Sequence, residues 1–518
     1  MKLVDPVAAV SLIEDGATVI IGGSGAGHAV PQLFIDTLAS HYRDEGSPRE
    51  LTTVRVVGIG DFADRGMSQL ALPGLMRRTI GSNIGNEPAL GDLVERGQVE
   101  GYSFPQGVLS QLCREIAAGR PGLITHIGLD TYVDPRQTGG KQGPADEDLV
   151  ELVEVGGKEW LFYRAFPIDV AVIRGSAIDE DGNVTLEDEA VRGEMLTMAM
   201  AAHNSGGMVI AQARKLVPAG SLDQRRVEVP GALVDFAYLD PNQTQTYQTA
   251  YSPYYAGKQR LETDAERPPM PLDARKAIAR RSLLEFTPGD ICNLGFGISQ
   301  QIGGIAWEEG IDDLLVLTVE QGVFGGVPVS GADGGAGFNY QALIDQPSMF
   351  DFYDGGGLDV ASLSFAEIDA LGNVNVHAFP GRLRGPGGFL NIGARTAKVC
   401  FVGTFTTGGL VTEVAGGCLR IVEEGERPKF VRQVAEVSFA GSRVGRDQKV
   451  MYITERAVFS LLDGVVTLIE VADGIDVEQD VLAHMGFRPA VADPLGVIDP
   501  RVYGEEPMGM ARSYRSAR

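Results

Sequence analysis

Paired cysteines are missing from this sequence. Its four, Cys113, Cys292, Cys400 and Cys418, lie far apart with no C-x-x-C spacing, in a chain of 518 residues that is long enough to build its own cores. That excludes a disulfide framework and leaves buried free thiols as the expectation. Histidine is scarce as well. The six, at 28, 41, 126, 203, 377 and 484, form no H-x-x-x-H or H-E-x-x-H pair, so no metal site is expected. Positive charge is in deficit: 44 Lys and Arg face 69 Asp and Glu, a formal net charge of −25, with no basic cluster. A nucleic-acid partner is excluded on that ground. Long unbroken apolar runs are lacking too. The N-terminal stretch "MKLVDPVAAVSLIEDGATVIIGG" is interrupted by Asp5, Glu14 and Asp15, so neither a signal peptide nor a membrane span is expected, and the cytoplasm is the expected compartment. No G-x-x-x-x-G-K-[ST] occurs, which removes a P-loop.

Glycine, by contrast, is abundant at 68 residues, and it follows short apolar runs. "ATVIIGGSGAG" (Ala17 to Gly27), "VRVVGIGD" (Val54 to Asp61), "GDICNLGFGIS" (Gly289 to Ser299) and "LLVLTVEQG" (Leu314 to Gly322) each read as a strand and then a glycine turn. Helical patterns, "VPQLFIDTLASHY" and "ISQQIGGIAWEEG", stand between them. This alternation predicts an α/β fold with mainly parallel strands. Two segments are near copies: "DVAVIRGSAIDEDGNV" from Asp169 and "DVASLSFAEIDALGNV" from Asp359. A second pair is "GATVIIGGS" from Gly16 and "GDICNLGFG" from Gly289. The chain therefore reads as two related open α/β domains from an internal repeat, 1–237 and 274–518, joined by an ordered linker at 238–273, with the ligand expected in the cleft between them. The repeated "IDxxGNV" itself reads as a tight turn, with Gly182 and Gly372 supplying the left-handed backbone.

"GIGDFA" (Gly58 to Ala63) satisfies a dinucleotide-type G-x-G-x-x-[GA], but "DFADRG" opens a helix poorly and no acidic residue follows at the required distance. A nicotinamide dehydrogenase is thus a minor alternative. Glu320 is more informative. It stands where an apolar strand ends, the place where parallel α/β folds build their sites, and "QGVFGGVPVSGADGGAG" follows it, small enough for close approach of a ligand.

The residues also resemble a known family. "TVEQGVFGGVPVSG", "FDFYDGGGLDVASLSFAEIDALGNVNV", "LRGPGGFLNIG" and "AKVCFVGTFTTGGL" in the second half are similar to the family I coenzyme A transferases, in their acetate/propionate branch. So are "IGGSGAGHAVPQLFI", "LPGLMRRTIGSNIGNEPALGDL" and "YVDPRQTGGK" in the first half, and the likeness spans essentially the whole chain. The resemblance implies Glu320 as the nucleophile, forming a CoA thioester. It implies Gln106 of "FPQGV" and the backbone N–H of Gly388 in "GPGGF" as oxyanion donors, one from each half. Gly25, Gly27, Phe324, Gly325 and Gly326 are further expected substrate-binding positions, Phe324 as a ring that narrows the acyl pocket. Asn391 stands where several relatives carry aspartate. The implied partners are an acyl-CoA and a short-chain carboxylate such as acetate, propionate or a 3-oxo acid. Coenzyme A is a cosubstrate, no cofactor is bound permanently, and a homodimer or homotetramer is expected. The rival readings are an acyl-CoA hydrolase using the same glutamate and a non-catalytic acyl-CoA or nucleotide-binding protein.

Overall fold

Short apolar runs such as "TVII" and "VLTV" have no polar face to offer water. In the computed structural model of the protein they become strands of two parallel sheets. The structure describes residues 1–262, 269–379 and 382–516. These form two compact units. One holds Met1–Leu261, Val319–Asp351 and Phe379–Asn391; the other holds Glu262–Thr318, Phe352–Ala378 and Ile392–Arg518. Compactness thus groups residues differently from chain order, since two later segments belong with the first unit.

In the first unit β1 (Thr18–Ile21), β2 (Leu51–Val54), β3 (Met76–Gly81), β4 (Glu100–Ser103), β5 (Val170–Asp179), β6 (Met208–Val217) and β7 (Phe236–Leu239) run parallel in the order β7-β6-β5-β1-β2-β3-β4. The chain steps from β1 through β4 on one side and then returns to β5 on the other. The order therefore reverses between β1 and β5, which opens a crevice at the carboxyl ends of those strands. Helix α1 (Gln32–Glu45), expected from its pattern, buries Phe34, Ile35, Leu38 and Ala39 and stops at Gly46, whose φ of 66° is the left-handed cap. Helix α2 (Gln106–Ala117) leaves β4, and α3 (Met195–Asn204) lies between β5 and β6. The core gathers Phe34, Leu38, Leu51, Met67, Leu90, Val172 and Tyr238. An antiparallel sheet of Gly122–Thr125, Val150–Val155 and Lys158–Arg164 is added between β4 and β5.

In the second unit β8 (Ile291–Leu294), β9 (Val316–Val319), β10 (Val360–Ser364), β11 (Lys398–Val402) and β12 (Lys449–Ile453) are parallel in the order β9-β8-β10-β11-β12. This is the order of β2-β1-β5-β6-β7, with the same reversal, here between β8 and β10. Helix α4 (Ile298–Glu308) follows β8, as its pattern predicts.

The duplication is exact enough to reach individual hydrogen bonds. Asp169 accepts the Thr18 N–H at 2.7 Å, and Asp359 accepts the Ile291 N–H at 2.8 Å, each tying the start of β5 or β10 to that of β1 or β8. Asp179 accepts from the N–H groups of Asp181 and Asn183, as Asp369 does from Leu371 and Asn373. The turn reading of "IDxxGNV" holds, with φ of 93° at Gly182 and 75° at Gly372. Two expectations need correction. In "VRVVGIGD" the strand has already ended at Val54, because the next residue, Arg55, turns into a buried ion pair with Glu87. The interval 238–273 does not begin as a linker, since Tyr238 lies in β7 and donates its hydroxyl to Gln212 at 3.0 Å. Positions 263–268 of that interval lie outside the described residues.

Candidate active site

The carboxyl edge of the first sheet carries four loops in spatial sequence: 22–31 after β1, 55–65 after β2, 82–87 after β3 and the start of α2 after β4. They are stitched together by buried polar contacts. Tyr247 takes the Ala26 carbonyl through its N–H at 2.8 Å and donates its hydroxyl to the Ile59 carbonyl at 2.9 Å. Glu87, fully buried, accepts from Arg55 Nε and from the Ile59 N–H, both at 2.7 Å. Burial raises the Glu87 pKa, and the guanidinium opposes that rise. A buried charge with this many donors is compensated, so the loops hold their shape.

Glu320 follows β9 directly, as expected, and is half-buried in the turn that opens its segment of the first unit. Gln321 Nε2 donates to Glu320 Oε1 at 3.3 Å. The Gln321 side chain in turn lies beside Gly335, where a Cβ would stand 3.4 Å from its Cδ and 3.2 Å from His28 Nε2. His28 donates that Nε2–H to the Gly334 carbonyl at 3.0 Å. Burial lowers its imidazole pKa, and Nδ1 has no hydrogen-bond partner among the described residues. The glycine loop after β1 and the loop at 331–336 thus meet beside the glutamate. Asp333 anchors the second loop, accepting hydroxyls from Thr246, Thr249 and Tyr255. Ala26 and Ala29 have positive φ, 23° and 51°, a strained backbone of the kind that clusters at ligand loops.

Gln106 and Gly388 are brought together in the same unit as Glu320. Expected on different chain halves, they are carried by one. The Gln106 N–H donates to the Gly387 carbonyl at 3.0 Å, and the Gly387 N–H is used by the Ser82 carbonyl at 3.1 Å. The Gly388 N–H makes no hydrogen bond among the described residues. Gln106 is 1% exposed, and its Nε2 has no partner among the described residues. A buried N–H that is unpaired costs about 1–3 kcal/mol, so the Gln106 amide is an unsatisfied donor next to the glycine turn. Sequence reasoning missed what holds them. Asn391, fully buried, accepts the Gly107 N–H at 3.1 Å and pins the first turn of α2 to the glycine turn. Its place three residues after Gly388 was the available signal.

The other expected positions divide. Gly25 has open space where a Cβ would be, whereas a Cβ at Gly27 would press on Tyr247 at 2.6 Å. Phe324 pairs in a hairpin with Ala342–Leu343 and is half-buried. Gly325 and Gly326 have a structural reason of their own: φ of 70° and 73° in the turn that follows. Gly58 and Gly60 of "GIGDFA" are packed on Asn86, and no helix opens behind them, which removes the dinucleotide reading. Three thiols are buried as expected, but Cys418 is exposed. Burial raises the Cys113, Cys292 and Cys400 pKa values, the last to about 12, so these are poor nucleophiles.

Among the described residues no helix is long and apolar enough to cross a membrane. Comparison with known proteins accords with the geometry. A coenzyme A transferase family model matches residues 4–238. The chain is 43% identical over 504 residues to acetate CoA-transferase YdiF of Escherichia coli K12, covering 97% of this chain and 95% of that one. It is 42% identical over 515 residues to caffeate CoA-transferase of Acetobacterium woodii, covering 98% of each. The crystal structure of the E. coli O157:H7 YdiF acyl-CoA transferase, a thioester complex with CoA, superposes with a TM-score of 0.93 at 42% identity, over 98% of this chain and 97% of that one. The two-unit α/β architecture, the loops on the carboxyl edge and these likenesses agree: the chain belongs to the family I coenzyme A transferases.

Proposed function

We propose that the chain moves coenzyme A from a short-chain acyl-CoA to a free carboxylate by a ping-pong route through Glu320. The Glu320 carboxylate attacks the thioester carbonyl, and collapse expels CoA thiolate and leaves a mixed anhydride. The thiolate then attacks the glutamyl carbonyl, releasing the first acid as its carboxylate and leaving a Glu320–CoA thioester. A second carboxylate runs the same steps in reverse. One thioester replaces another, so the exchange is close to thermoneutral. Each tetrahedral intermediate carries an oxyanion, which Gln106 Nε2–H and the Gly388 N–H would receive.

The observation that carries this reading is the pair of unpartnered N–H groups, one of them buried on Gln106 and the other on Gly388. The thioester named for the E. coli relative supports the covalent intermediate. Relatives of near-equal identity are named for acetate and for caffeate, and within that range we assign acetate, propionate or a 3-oxo acid to this chain. A cytoplasmic homodimer or homotetramer completes the proposal. Intact-protein mass spectrometry after brief exposure to acetyl-CoA or propionyl-CoA tests it. A gain equal to CoA less water, on the peptide holding Glu320 and erased by added acetate, is expected. Loss of the adduct to water at the same rate without acetate would instead make the chain a hydrolase.

A further inference from the structure

Half of the proposed chemistry takes place on Glu320 itself. When CoA thiolate attacks the anhydride, or a carboxylate attacks the thioester, the tetrahedral carbon is Glu320 Cδ, and the glutamate oxygen that stays on that carbon becomes the oxyanion. The local backbone sets what stands beside it. The Gly322 N–H donates to the Val319 carbonyl at 2.9 Å, closing a tight turn at the end of β9 with Glu320 and Gln321 as its central residues. Gly322 is required there by a φ of 113° and by the Ile344 carbonyl, which a Cβ would meet at 2.0 Å. In this turn Gln321 Nε2 donates to Glu320 Oε1 at 3.3 Å.

The Gln321 side chain is a built feature and not a solvated surface group. It is 4% exposed and fills space left by Gly335, beside the buried His28 ring. Its own Oε1 has no hydrogen-bond partner among the described residues. A carboxylate only accepts, so the half of the amide that faces Glu320 is the donor half. The amide thus forgoes a bond for its oxygen and keeps one to the glutamate. We infer that Gln321 is a catalytic residue whose Nε2–H stabilises the oxyanion formed on Glu320 Oε1 when Glu320 Cδ is attacked. The inference rests on the covalent Glu320 reading and adds, alongside Gln106 and Gly388, a donor for the intermediates centred on the glutamate. In the resting carboxylate Oε1 shares one negative charge with Oε2; in the intermediate it bears that charge alone. The same hydrogen bond is therefore stronger in the transition state than in the ground state, which is the condition for raising kcat. Oε2 is then the oxygen that attacks the acyl-CoA carbonyl. Thiolate attack forms the Cδ–S bond and breaks the Cδ–Oε2 bond, so the first acid departs with Oε2 and the electron pair.

The test uses the Glu320–CoA thioester, formed from acetyl-CoA and freed of small molecules by gel filtration. Hydroxylamine attacks it at Cδ, forming a Cδ–N bond and expelling CoA thiolate, so this cleavage samples the glutamyl intermediate without any step at an acyl carbon. Gln321→Met keeps the length of the side chain and has no donor. Its thioester, accumulated over a longer exposure, should be cleaved about ten- to a hundredfold more slowly than that of wild type, and kcat for transfer should fall by a like factor. Thermal melting controls for folding. Where Gln321→Met does not fold, Gln321→Glu, of the same shape and without a donor at neutral pH, takes its place. Cleavage at the wild-type rate overturns the inference, as does a fall in transfer with no fall in cleavage. Absence of a Glu320 adduct in wild type would remove the covalent reading itself. An adduct whose cleavage is indifferent to Gln321 would remove this inference and leave that reading in place.

Discussion

A strand-end carboxylate is visible in a sequence, but a hydrogen-bond donor without a partner is not. Glu320 could be picked out because the apolar run before it and the glycines after it are local signals. Gln106 carries no such signal, and "PQG" would serve equally well as a turn. Its proposed role is argued from burial and from an Nε2 with no partner among the described residues. Gln106→Ala should therefore lower kcat a few hundredfold, about 3 kcal/mol of barrier, while leaving the affinity for acyl-CoA nearly unchanged. A variant that binds more weakly but turns over at the wild-type rate would make Gln106 a ground-state contact only. The choice between Gly387 and Gly388 is likewise open in the sequence. It turns on the Gly387 N–H already donating to Ser82, three hundred residues away in the chain by order of magnitude but adjacent in space.

At the level of elements, one repeat shows what the other has become. The residue after β2 is Arg55, buried and paired, while the residue after the corresponding β9 is Glu320, half-buried in a turn. The same framework thus closes one strand end with a buried ion pair and sets a half-buried carboxylate at the other. The turns that follow β5 and β10 kept their structural work in both copies. Burial alone would raise the Asp179 pKa, but the side chain and N–H of Asn183 hold it below the usual carboxylate range. Replacing Asp179 or Asp369 with Ala should destabilise the chain by roughly 1.5–3 kcal/mol in each case, read from denaturant unfolding. A loss at one position and none at the other would show that the two turns are not equivalent. Strand and turn were legible in these stretches because both are set within a few residues. In "VRVVG" the pattern overran, since Arg55 is turned out of the strand by Glu87, which lies far along the chain.

Stability of the whole molecule bears on one further buried group. Glu194 accepts the Ser110 hydroxyl at 2.7 Å, one turn along α2 from Gln106, and burial raises its pKa from 4.5 to about 7. The native state therefore keeps a proton that the unfolded chain releases. The stability this contributes is full below about pH 4.5 and is lost as pH rises through about 7, at most about 3 kcal/mol in all. Glu194→Gln, which stays neutral, should gain on wild type over that window and hold its advantage above it, measured as the difference in unfolding midpoint. A difference that does not change with pH would mean that Glu194 ionises like an exposed glutamate.

The sequence by itself determined that the chain is a duplicated α/β protein with parallel strands, that its family resemblance covers both halves, and that Glu320 ends a strand. These follow from periodicity, turn chemistry and recurring motifs, all of which are set by neighbours along the chain. Only the tertiary structure decided that Glu320, Gln106 and Gly388 share one compact unit and that Asn391 braces the start of α2. Those outcomes depend on which distant segments pack together and on which polar groups are left unpaired when they do. Both are properties of contacts between residues remote in sequence, and no local pattern encodes them.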